Sequence, residues 1–385
     1  MSGQPGIVQG QWVVTLRHYL PNELKTNHVS HIASLTADAA TPFNCEIQSE
    51  FQLGELKGYA AKCDDTTKQE LERLPEIVAI EPMKRYAHCS QQANAPWGLG
   101  RISTRSKLGA PPYTYKYRDD ASGAGAVAYI IDTGINDAHV EFEGRARKGP
   151  KFVSTDPSGD EDVHGHGTHV AGTVASRAYG VAKKAGVVGV KVFSDQYGTA
   201  QTNDIIAALE WVVEDAKNHP GKAVVNMSLG GPESDALDNA VDATIRAGVI
   251  VCVAAGNEKS PAETTSPART PLAITVGATS VNDTIASWSN YGKMVDVLAP
   301  GVDILSCWIG SPTATNTISG TSMATPHVAG AVACLLSGKD DNKVDEVMGE
   351  LLILADKNKI SGFSTQAVGR TVNALLHNST SAADN

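Results

Sequence analysis

Between residues 127 and 277, short apolar runs alternate with longer segments of helical periodicity, and this alternation leaves few folds open to the chain. The apolar runs occupy residues 127–131, 187–192, 224–228, 249–255 and 274–277. The helical segments follow residue 166 and span 202–218 and 234–247. Strands that are apolar on both faces and alternate with helices form a parallel sheet covered on both sides. The sequence therefore predicts an α/β domain with a doubly wound, mostly parallel sheet.

A second pattern, in residues 11–88, predicts a small separate α+β domain. Strand and helix signals follow one another there in the order β-α-β-β-α-β, which is the order of a ferredoxin-like domain. The strands are expected near 12–16, 45–53, 58–61 and 77–82, and the helices at 22–35 and 65–74. The larger domain is expected to span 94–376, with a polar linker at 89–93 and disordered ends at 1–10 and 377–385.

The size and charge of the chain exclude several classes of protein. A chain of 385 residues, 42% of them hydrophobic, is long enough for one large domain and a small one. The net charge of -10 argues against nucleic-acid and anionic-membrane partners, which favour a basic surface. No apolar run approaches the roughly 18–20 residues of a membrane span, and residues 1–20 show no signal peptide. We therefore expect a globular monomer.

The six cysteines do not form a recognised metal or redox motif. They stand at positions 45, 63, 89, 252, 307 and 334, and no pair has the Cys-x-x-Cys spacing. Cys252 lies in an apolar run and Cys334 in an apolar helix, so buried free thiols are expected at both positions.

Ser322 follows a turn of small residues and opens an apolar helix, within the segment GTSMATPHVAG. A serine hydroxyl is a weak nucleophile at neutral pH, so such chemistry needs a base and donors for an oxyanion. His166, in the segment HGHGTHVAGT, is the candidate base, and Asp132, which ends the run YIID, is the candidate that orients it. A capping serine and a turn aspartate are the plain alternatives.

Neighbouring histidines leave a second chemistry open. His164, His166 and His169, together with Asp162, supply the imidazole and carboxylate groups that zinc prefers. Their glycine-rich spacing does not place two histidines on one helical face, and we favour packing or hydrogen bonding for His169 and for His327.

The order Asp, His, Ser along the chain distinguishes among the known versions of this triad, and only the subtilisin order fits. From about residue 92 to residue 376 the chain resembles subtilisin-like serine proteases, and the motifs NAPWGL and ISGTS resemble the proteinase K branch. The resemblance implies a serine endopeptidase in which Ser322 is the nucleophile, His166 the base and Asp132 the orienting group. It also implies that Asn257, in AAGN, donates to the oxyanion.

The resemblance further implies a substrate cleft and a zymogen. One wall of the first specificity pocket would be Ser228, Leu229 and Gly230, and the other would be Ala254, Ala255 and Gly256. These small residues leave the pocket roomy, which favours an aromatic or large aliphatic side chain before the cut. The N-terminal domain resembles an inhibitory propeptide, with the cut near Cys89/Ser90 and Tyr86 four residues before it. Relatives of this kind are usually secreted; an intracellular or vacuolar enzyme is the alternative.

No cofactor is expected for catalysis, but the resemblance implies a structural calcium ion. Its ligands would be the carbonyls of Pro271 and Ala273 and the carboxylate of Asp296, and such hard oxygen ligands suit calcium. Polypeptide substrates and the chain's own propeptide are the expected partners. Two rivals remain: a non-hydrolytic scaffold with this fold, and a metalloprotease built on the histidine cluster.

Overall fold

A computed structural model describes residues 7–18, 21–37, 44–84, 89–154, 159–338 and 343–378. The chain divides into two compact units, Met1–Tyr86 and Ala87–Asn385. The boundary agrees with the change of pattern in the sequence. Each unit has its own core.

The first unit is a four-stranded antiparallel sheet with two helices. Its elements are β1 (Ile7–Leu16), α1 (Asn22–Ala37), β2 (Cys45–Leu53), β3 (Leu56–Cys63), α2 (Asp65–Leu71) and β4 (Ile77–Lys84). The strand order is β2-β3-β1-β4. Val14, Leu16, Ile32, Tyr59 and Leu71 form the centre of its core. The β-α-β-β-α-β order expected from the sequence is present.

The second unit is built on a nine-stranded sheet, which confirms the predicted α/β fold. The strands of the unit are β5 (Cys89–Ala95), β6 (Tyr113–Arg118), β7 (Val127–Asp132), β8 (Ala146–Lys151), β9 (Gly186–Lys191), β10 (Ala223–Met227), β11 (Ile250–Ala254), β12 (Ile274–Thr279), β13 (Val297–Pro300), β14 (Ile304–Cys307), β15 (Thr315–Ile318), β16 (Asp356–Lys357) and β17 (Ala374–Leu375). Two pairs of them, β5–β6 and β14–β15, form separate two-stranded sheets. Its helices are α3 (Trp97–Ile102), α4 (His166–Ala175), α5 (Thr202–Asp215), α6 (Asp235–Arg246), α7 (Thr321–Ser337) and α8 (Val344–Leu354). The order in the sheet is β16-β17-β13-β12-β11-β10-β7-β9-β8, and only the β16–β17 pair is antiparallel.

Successive residues of the central strands enter two different cores, because side chains alternate between the faces of a sheet. Val224 of β10 packs with Val174 of α4 and Val328 of α7. Val225, the next residue, packs with Leu209 of α5 and other members of the second cluster. Helices α4 and α7 therefore cover one face, while α5 and α6 cover the other.

Helix α7 is buried along most of its length and contains a proline. Pro326 has no N–H, so the carbonyl of Ser322, four residues earlier, loses its donor within the helix. The hydroxyl of Ser228 replaces that donor, with Oγ 2.7 Å from the Ser322 carbonyl oxygen. The proline is thus tolerated because a residue that follows β10 completes the hydrogen bonding of α7.

The ends of the predicted segments needed correction. Strand β1 begins at Ile7, inside the stretch expected to be disordered. Residues 89–93, expected to be a linker, belong to strand β5, because β6 supplies a pairing partner. Helix α2 stops at Leu71 rather than at residue 74. Tyr86 lies outside the described residues.

The segment 377–385 was also expected to be disordered, and its first two residues are anchored. The His377 side chain is buried, and the Asn378 backbone N–H donates to the Ile102 carbonyl. Residues 379–385 lie outside the described part.

Candidate active site

A cleft of about 600 Å³ opens at the carboxyl edge of the parallel sheet. Parallel strands bring their following loops together at this edge, where ligand sites of such sheets gather. The predicted residues that line the cleft are His166, Ser322, Asn257, Ser228, Leu229, Gly230, Ala254 and Gly256. They come from the loops that follow β10 and β11 and from the first turns of α4 and α7. The fold therefore assembles residues that are far apart in the sequence.

Asp132 lies behind the cleft and contacts His166. It is fully buried at the end of β7, and His166 Nδ1 is 2.8 Å from Asp132 Oδ1 and 2.9 Å from Oδ2. The Thr133 backbone N–H also donates to Oδ1. Because an ionised carboxylate only accepts hydrogen bonds, Nδ1 carries the proton and Nε2 is the acceptor nitrogen of the neutral ring.

The surroundings of His166 shift its basicity upward. Burial alone would lower the pKa of His166, but the charge of Asp132 and its hydrogen bond outweigh that effect, with a smaller contribution from Asp162. The pKa is therefore raised above its ordinary value of 6.5. A neutral imidazole with a raised pKa is a stronger proton acceptor.

Asp162 organises the loop before α4, a role that the sequence analysis missed. Its carboxylate accepts from Thr133 Oγ1 at 2.9 Å, from Thr168 Oγ1 at 2.6 Å, and from the backbone N–H groups of His164, Gly165 and Thr168. Burial alone would raise the pKa of Asp162, but these hydrogen bonds lower it. Asp162 lies three residues before Gly165, the N-cap of α4, so no local capping signal pointed to it in the sequence.

The other histidines differ in their surroundings. His169 Nε2 contacts the Ile304 carbonyl at 2.9 Å, and His327 Nδ1 contacts the Met323 carbonyl at 2.9 Å. Burial lowers the pKa of each to about 4. His164 lines the cleft, with its ring centroid 6.3 Å from that of His166. Within the described ranges, no three His, Cys, Asp or Glu side chains are grouped so as to hold a metal ion.

Ser322 is the second residue of α7, so its backbone N–H is one of the first-turn donors without an acceptor in the helix. Its hydroxyl donates to the Ser228 carbonyl at 3.1 Å. The side chain would have to rotate away from Ser228 to give its proton to His166. Catalytic hydrogen bonds are often unformed before substrate binds.

The Asn257 side chain is oriented by Thr321. Asn257 Oδ1 accepts from the Thr321 backbone N–H at 2.9 Å and from Thr321 Oγ1 at 3.0 Å. Since the oxygen is held in this way, the Nδ2 donor is left for the cleft that Asn257 lines. Glu258 Oε2 accepts from the Asn257 backbone N–H at 2.8 Å. The sequence analysis had not identified Thr321 or Glu258.

The turn before Asn257 requires glycine. Gly256 has φ +103°, which is in the left-handed region, and a Cβ there would overlap the Asn290 amide. Asn290 Nδ2 donates to the Ala255 carbonyl, and its Oδ1 accepts from the backbone N–H groups of Glu258 and Ser260. This asparagine therefore holds the loop together from behind.

One predicted wall residue does not face the cleft. Ala255 is fully buried and belongs to a cluster with Ala262 and Ala268. Its backbone N–H donates to the Val276 carbonyl. Ala254 and Gly256 remain on that wall, while Thr264 and Thr265, which were not predicted, also line the cleft.

The predicted calcium ligands lie at the opposite, amino edge of the sheet, where β12 and β13 begin. Asp296 Oδ2 accepts from the Thr275 backbone N–H at 2.8 Å, and burial raises the pKa of Asp296 to about 6. None of the described cationic side chains forms an ion pair with this carboxylate. A largely buried carboxylate oxygen is the kind of ligand that a hard cation prefers. Three protein oxygens would leave the remaining positions to water.

Comparisons with known proteins identify the family of the chain. Residues 123–371 match the profile of the Subtilase family. The chain is 40% identical over 377 residues to a cuticle-degrading serine protease of Arthrobotrys oligospora. The alignment covers 96% of this chain and 89% of that protein. It is also 40% identical over 366 residues to alkaline protease 1 of Aspergillus clavatus. This alignment covers 92% of this chain and 89% of that protein.

A solved structure gives the same result. The crystal structure of a cold adapted subtilisin-like serine proteinase matches with a TM-score of 0.67 and 43% identity, over 74% of this chain and 98% of that chain. Among the described residues, no helix has both the length and the apolar character needed to cross a membrane. The chain belongs to the subtilase family, and it is a subtilisin-like serine endopeptidase.

Proposed function

We propose that this protease cleaves polypeptides through a triad of Asp132, His166 and Ser322. The observation that carries the proposal is the contact of His166 Nδ1 with both oxygens of the buried Asp132, at 2.8 and 2.9 Å, in the cleft that Ser322 also lines. Ser322 Oγ attacks the scissile carbonyl carbon while His166 Nε2 takes its proton. His166 then gives that proton to the leaving amine, and water hydrolyses the acyl-enzyme with the same groups.

The oxyanion of the tetrahedral intermediate would be bound by two donors. Asn257 Nδ2 is one, and the backbone N–H of Ser322 is the other. Their position at the start of α7 adds the partial positive charge of a helix N-terminus. These donors are held before substrate arrives, Asn257 by Thr321, so little reorganisation is needed as charge develops.

We propose a broad specificity that favours an aromatic or large aliphatic side chain before the cut. Small residues on both walls support this preference: Ser228 and Gly230 on one side, Ala254 and Gly256 on the other. The substrate would be an extended segment that pairs with these backbone edges. We also propose that the enzyme acts as a monomer and binds no nucleic acid.

We further propose that the N-terminal unit is an inhibitory propeptide that is removed near Cys89/Ser90. The ferredoxin-like strand order of that unit supports this role. The proposed bond lies at the start of β5, where Ser90 is opposite Tyr117 of β6. The first residues of β5 must therefore separate from β6 before a protease can reach the bond.

The test compares the full chain with Ser322→Ala and with Ser319→Ala, a neighbouring serine whose side chain is exposed outside the cleft. We expect the parent and Ser319→Ala to trim themselves near Cys89/Ser90 and to hydrolyse casein, while Ser322→Ala stays full length and inactive. Mass, N-terminal sequence and casein hydrolysis are measured over time. Equal behaviour of the parent and Ser322→Ala would reject the triad, and casein hydrolysis by an untrimmed parent would reject only the propeptide.

The compartment and the calcium ion are separate proposals. We propose that the enzyme is secreted, which the name of the cuticle-degrading relative supports. A tagged chain found only inside the producing cells would support an intracellular or vacuolar enzyme instead. Pro271, Ala273 and Asp296 would hold a calcium ion that stabilises the fold and takes no part in peptide cleavage.

A further inference from the structure

Two cysteines of the first unit face each other across a β-hairpin. Cys45 is the first residue of β2 and Cys63 is the last residue of β3, and the antiparallel register places them directly opposite. Neither is in a disulfide, and only 3% and 5% of their surface is exposed. The two side chains therefore lie next to each other in the core of the first unit.

The spacing of such a pair suits a disulfide. Opposite residues of an antiparallel pair have Cα atoms about 4.5 to 5.5 Å apart, and disulfides span Cα distances of about 4.4 to 6.8 Å. The other four cysteines, Cys89, Cys252, Cys307 and Cys334, all belong to the second unit. Among the described residues, Cys45 and Cys63 are the only two cysteines paired across adjacent strands.

The two thiols also differ in character. The Cys63 thiol donates a hydrogen bond to the Cys45 sulfur, which lowers the pKa of Cys45, and the same interaction raises the pKa of Cys63. The thiolate is the form that attacks a disulfide. Cys45 is therefore the better first nucleophile, and Cys63 is placed beside it to complete an exchange.

We propose that Cys45 and Cys63 form a redox modification site that a small disulfide of the glutathione class converts to an intramolecular disulfide. The Cys45 thiolate attacks one sulfur of the oxidant, forming a mixed disulfide and releasing one thiolate. Cys63 loses its proton and attacks the Cys45 sulfur, which releases the second thiol. The two cysteines are oxidised by two electrons in total, and the oxidant is reduced to two thiols.

The bond would join the open ends of the β2–β3 hairpin. Strand β2 is an edge strand of the four-stranded sheet, so it is held by one neighbour only. Trp12 Nε1 donates to the Cys63 carbonyl, which fixes the other side of β3 to β1. Oxidation would therefore strengthen the less supported edge. If the first unit is the propeptide proposed above, its oxidised form persists longer and the enzyme is activated more slowly.

The experiment uses the full-length Ser322→Ala chain, so that self-digestion does not intervene. The chain is incubated in the folded state, and separately refolded, with glutathione disulfide, then alkylated, digested and examined by mass spectrometry. We expect a cross-linked peptide pair containing Cys45 and Cys63, loss of two hydrogen atoms, and reversal by dithiothreitol. The unfolding midpoint of the first unit should rise by roughly 10–20 °C.

Matched variants identify the residues. Cys63→Ala should stop at a mixed disulfide on Cys45, and Cys334→Ala should form the cross-link as the parent does. The proposal is overturned if Cys45 and Cys63 are both alkylated after each of the two treatments. A bond from Cys45 to any other cysteine would also overturn it. Because the readout is a covalent bond in an inactive chain, its failure is distinct from failure of the proposed protease mechanism.

Discussion

At the scale of single residues, the pair of Asp132 and His166 explains why a histidine in this cleft can act as a base. The carboxylate is fully buried at the end of β7 and fixes the proton on Nδ1. The pKa of His166 is raised although burial acts against it. The Asp132 carboxylate thus both orients the His166 ring and raises its pKa.

Asp132→Asn should lower kcat/KM by about 10⁴-fold, because the amide cannot stabilise the imidazolium that forms. The acidic limb of the pH profile should also move to lower pH. The base must be neutral, its pKa is raised by Asp132, and removing that charge lowers the pKa. The measurement is kcat/KM against pH with a peptide substrate. If kcat/KM falls as expected but the acidic limb of the pH profile stays in place, Asp132 is not what raises the pKa of His166.

Asp162→Asn tests the loop before α4. The pKa of Asp162 is lowered in the folded protein, so its ionised form stabilises the fold above the unfolded value near 4, and this contribution is lost as pH falls through the folded pKa. The variant should therefore be less stable than the parent at pH 7, and the difference should shrink below about pH 4.

Unfolding at several pH values, in a Ser322→Ala background, measures the effect of Asp162→Asn. Asp160→Asn is the matched control, since its carboxylate is exposed two residues away. In the active chain, Asp162→Asn should also move the acidic limb to slightly lower pH, because Asp162 helps raise the pKa of His166. A constant stability difference across the pH range would refute this account.

Asn257→Ala should lower kcat by about 100- to 1000-fold with little change in KM, because the donor proposed above would act on the oxyanion of the transition state. Thr321→Val removes only the hydroxyl that orients Asn257 and should have a smaller effect on kcat. Steady-state kinetics on a peptide substrate separates the two constants. A rise in KM alone would assign Asn257 to ground-state binding.

At the scale of elements, Ser228 and Pro326 depend on each other. Ser228→Ala leaves the Ser322 carbonyl without its donor and should lower the free energy of unfolding by about 1–3 kcal/mol. Pro326→Ala restores a backbone N–H in α7, so Ser228→Ala should cost less in that background. Urea unfolding of the four chains, each with Ser322→Ala, gives the coupling. Additive effects would show that Ser228 does not complete this helix.

Elements were predictable where the sequence pattern is local, and less so where pairing is distant. The continuous apolar runs identified β7, β9, β10, β11 and β12, because both faces of these strands are covered. Strand β5 was missed because its polar residues 89–95 pair with β6, about twenty residues later, and no local period indicates this.

The candidate site shows the same limit. Motifs located Asp132, His166, Ser322 and Asn257, and the structure places all four at the cleft or directly behind it. Their supports were not found, because Thr321 and Asp162 act through hydrogen bonds that exist only after folding. Ala255 was assigned to the wall by its neighbours in sequence, although successive residues point in different directions.

At the scale of the whole molecule, the cleft and the proposed calcium site lie at opposite edges of one sheet. Asp296→Asn should therefore lower the thermal midpoint without changing the initial rate at low temperature. A calcium chelator should destabilise the parent and Asp160→Asn but not Asp296→Asn. Thermal unfolding with and without chelator checks this expectation. Immediate loss of catalysis on chelation would instead favour a metalloprotease.

The anchored end of the second unit has a consequence for engineering. Asn378 Nδ2 donates to the carbonyl of Lys116 in β6, and Lys116 is opposite Gln91 in β5. The two described ends of the second unit, the start of β5 and Asn378, therefore both lie at the β5–β6 ribbon. A short glycine-rich connection could join them, and new termini could be opened in an exposed loop elsewhere. Such a circular permutant would have no N-terminal extension attached at β5, so the peptidase could be produced with the first unit supplied as a separate chain.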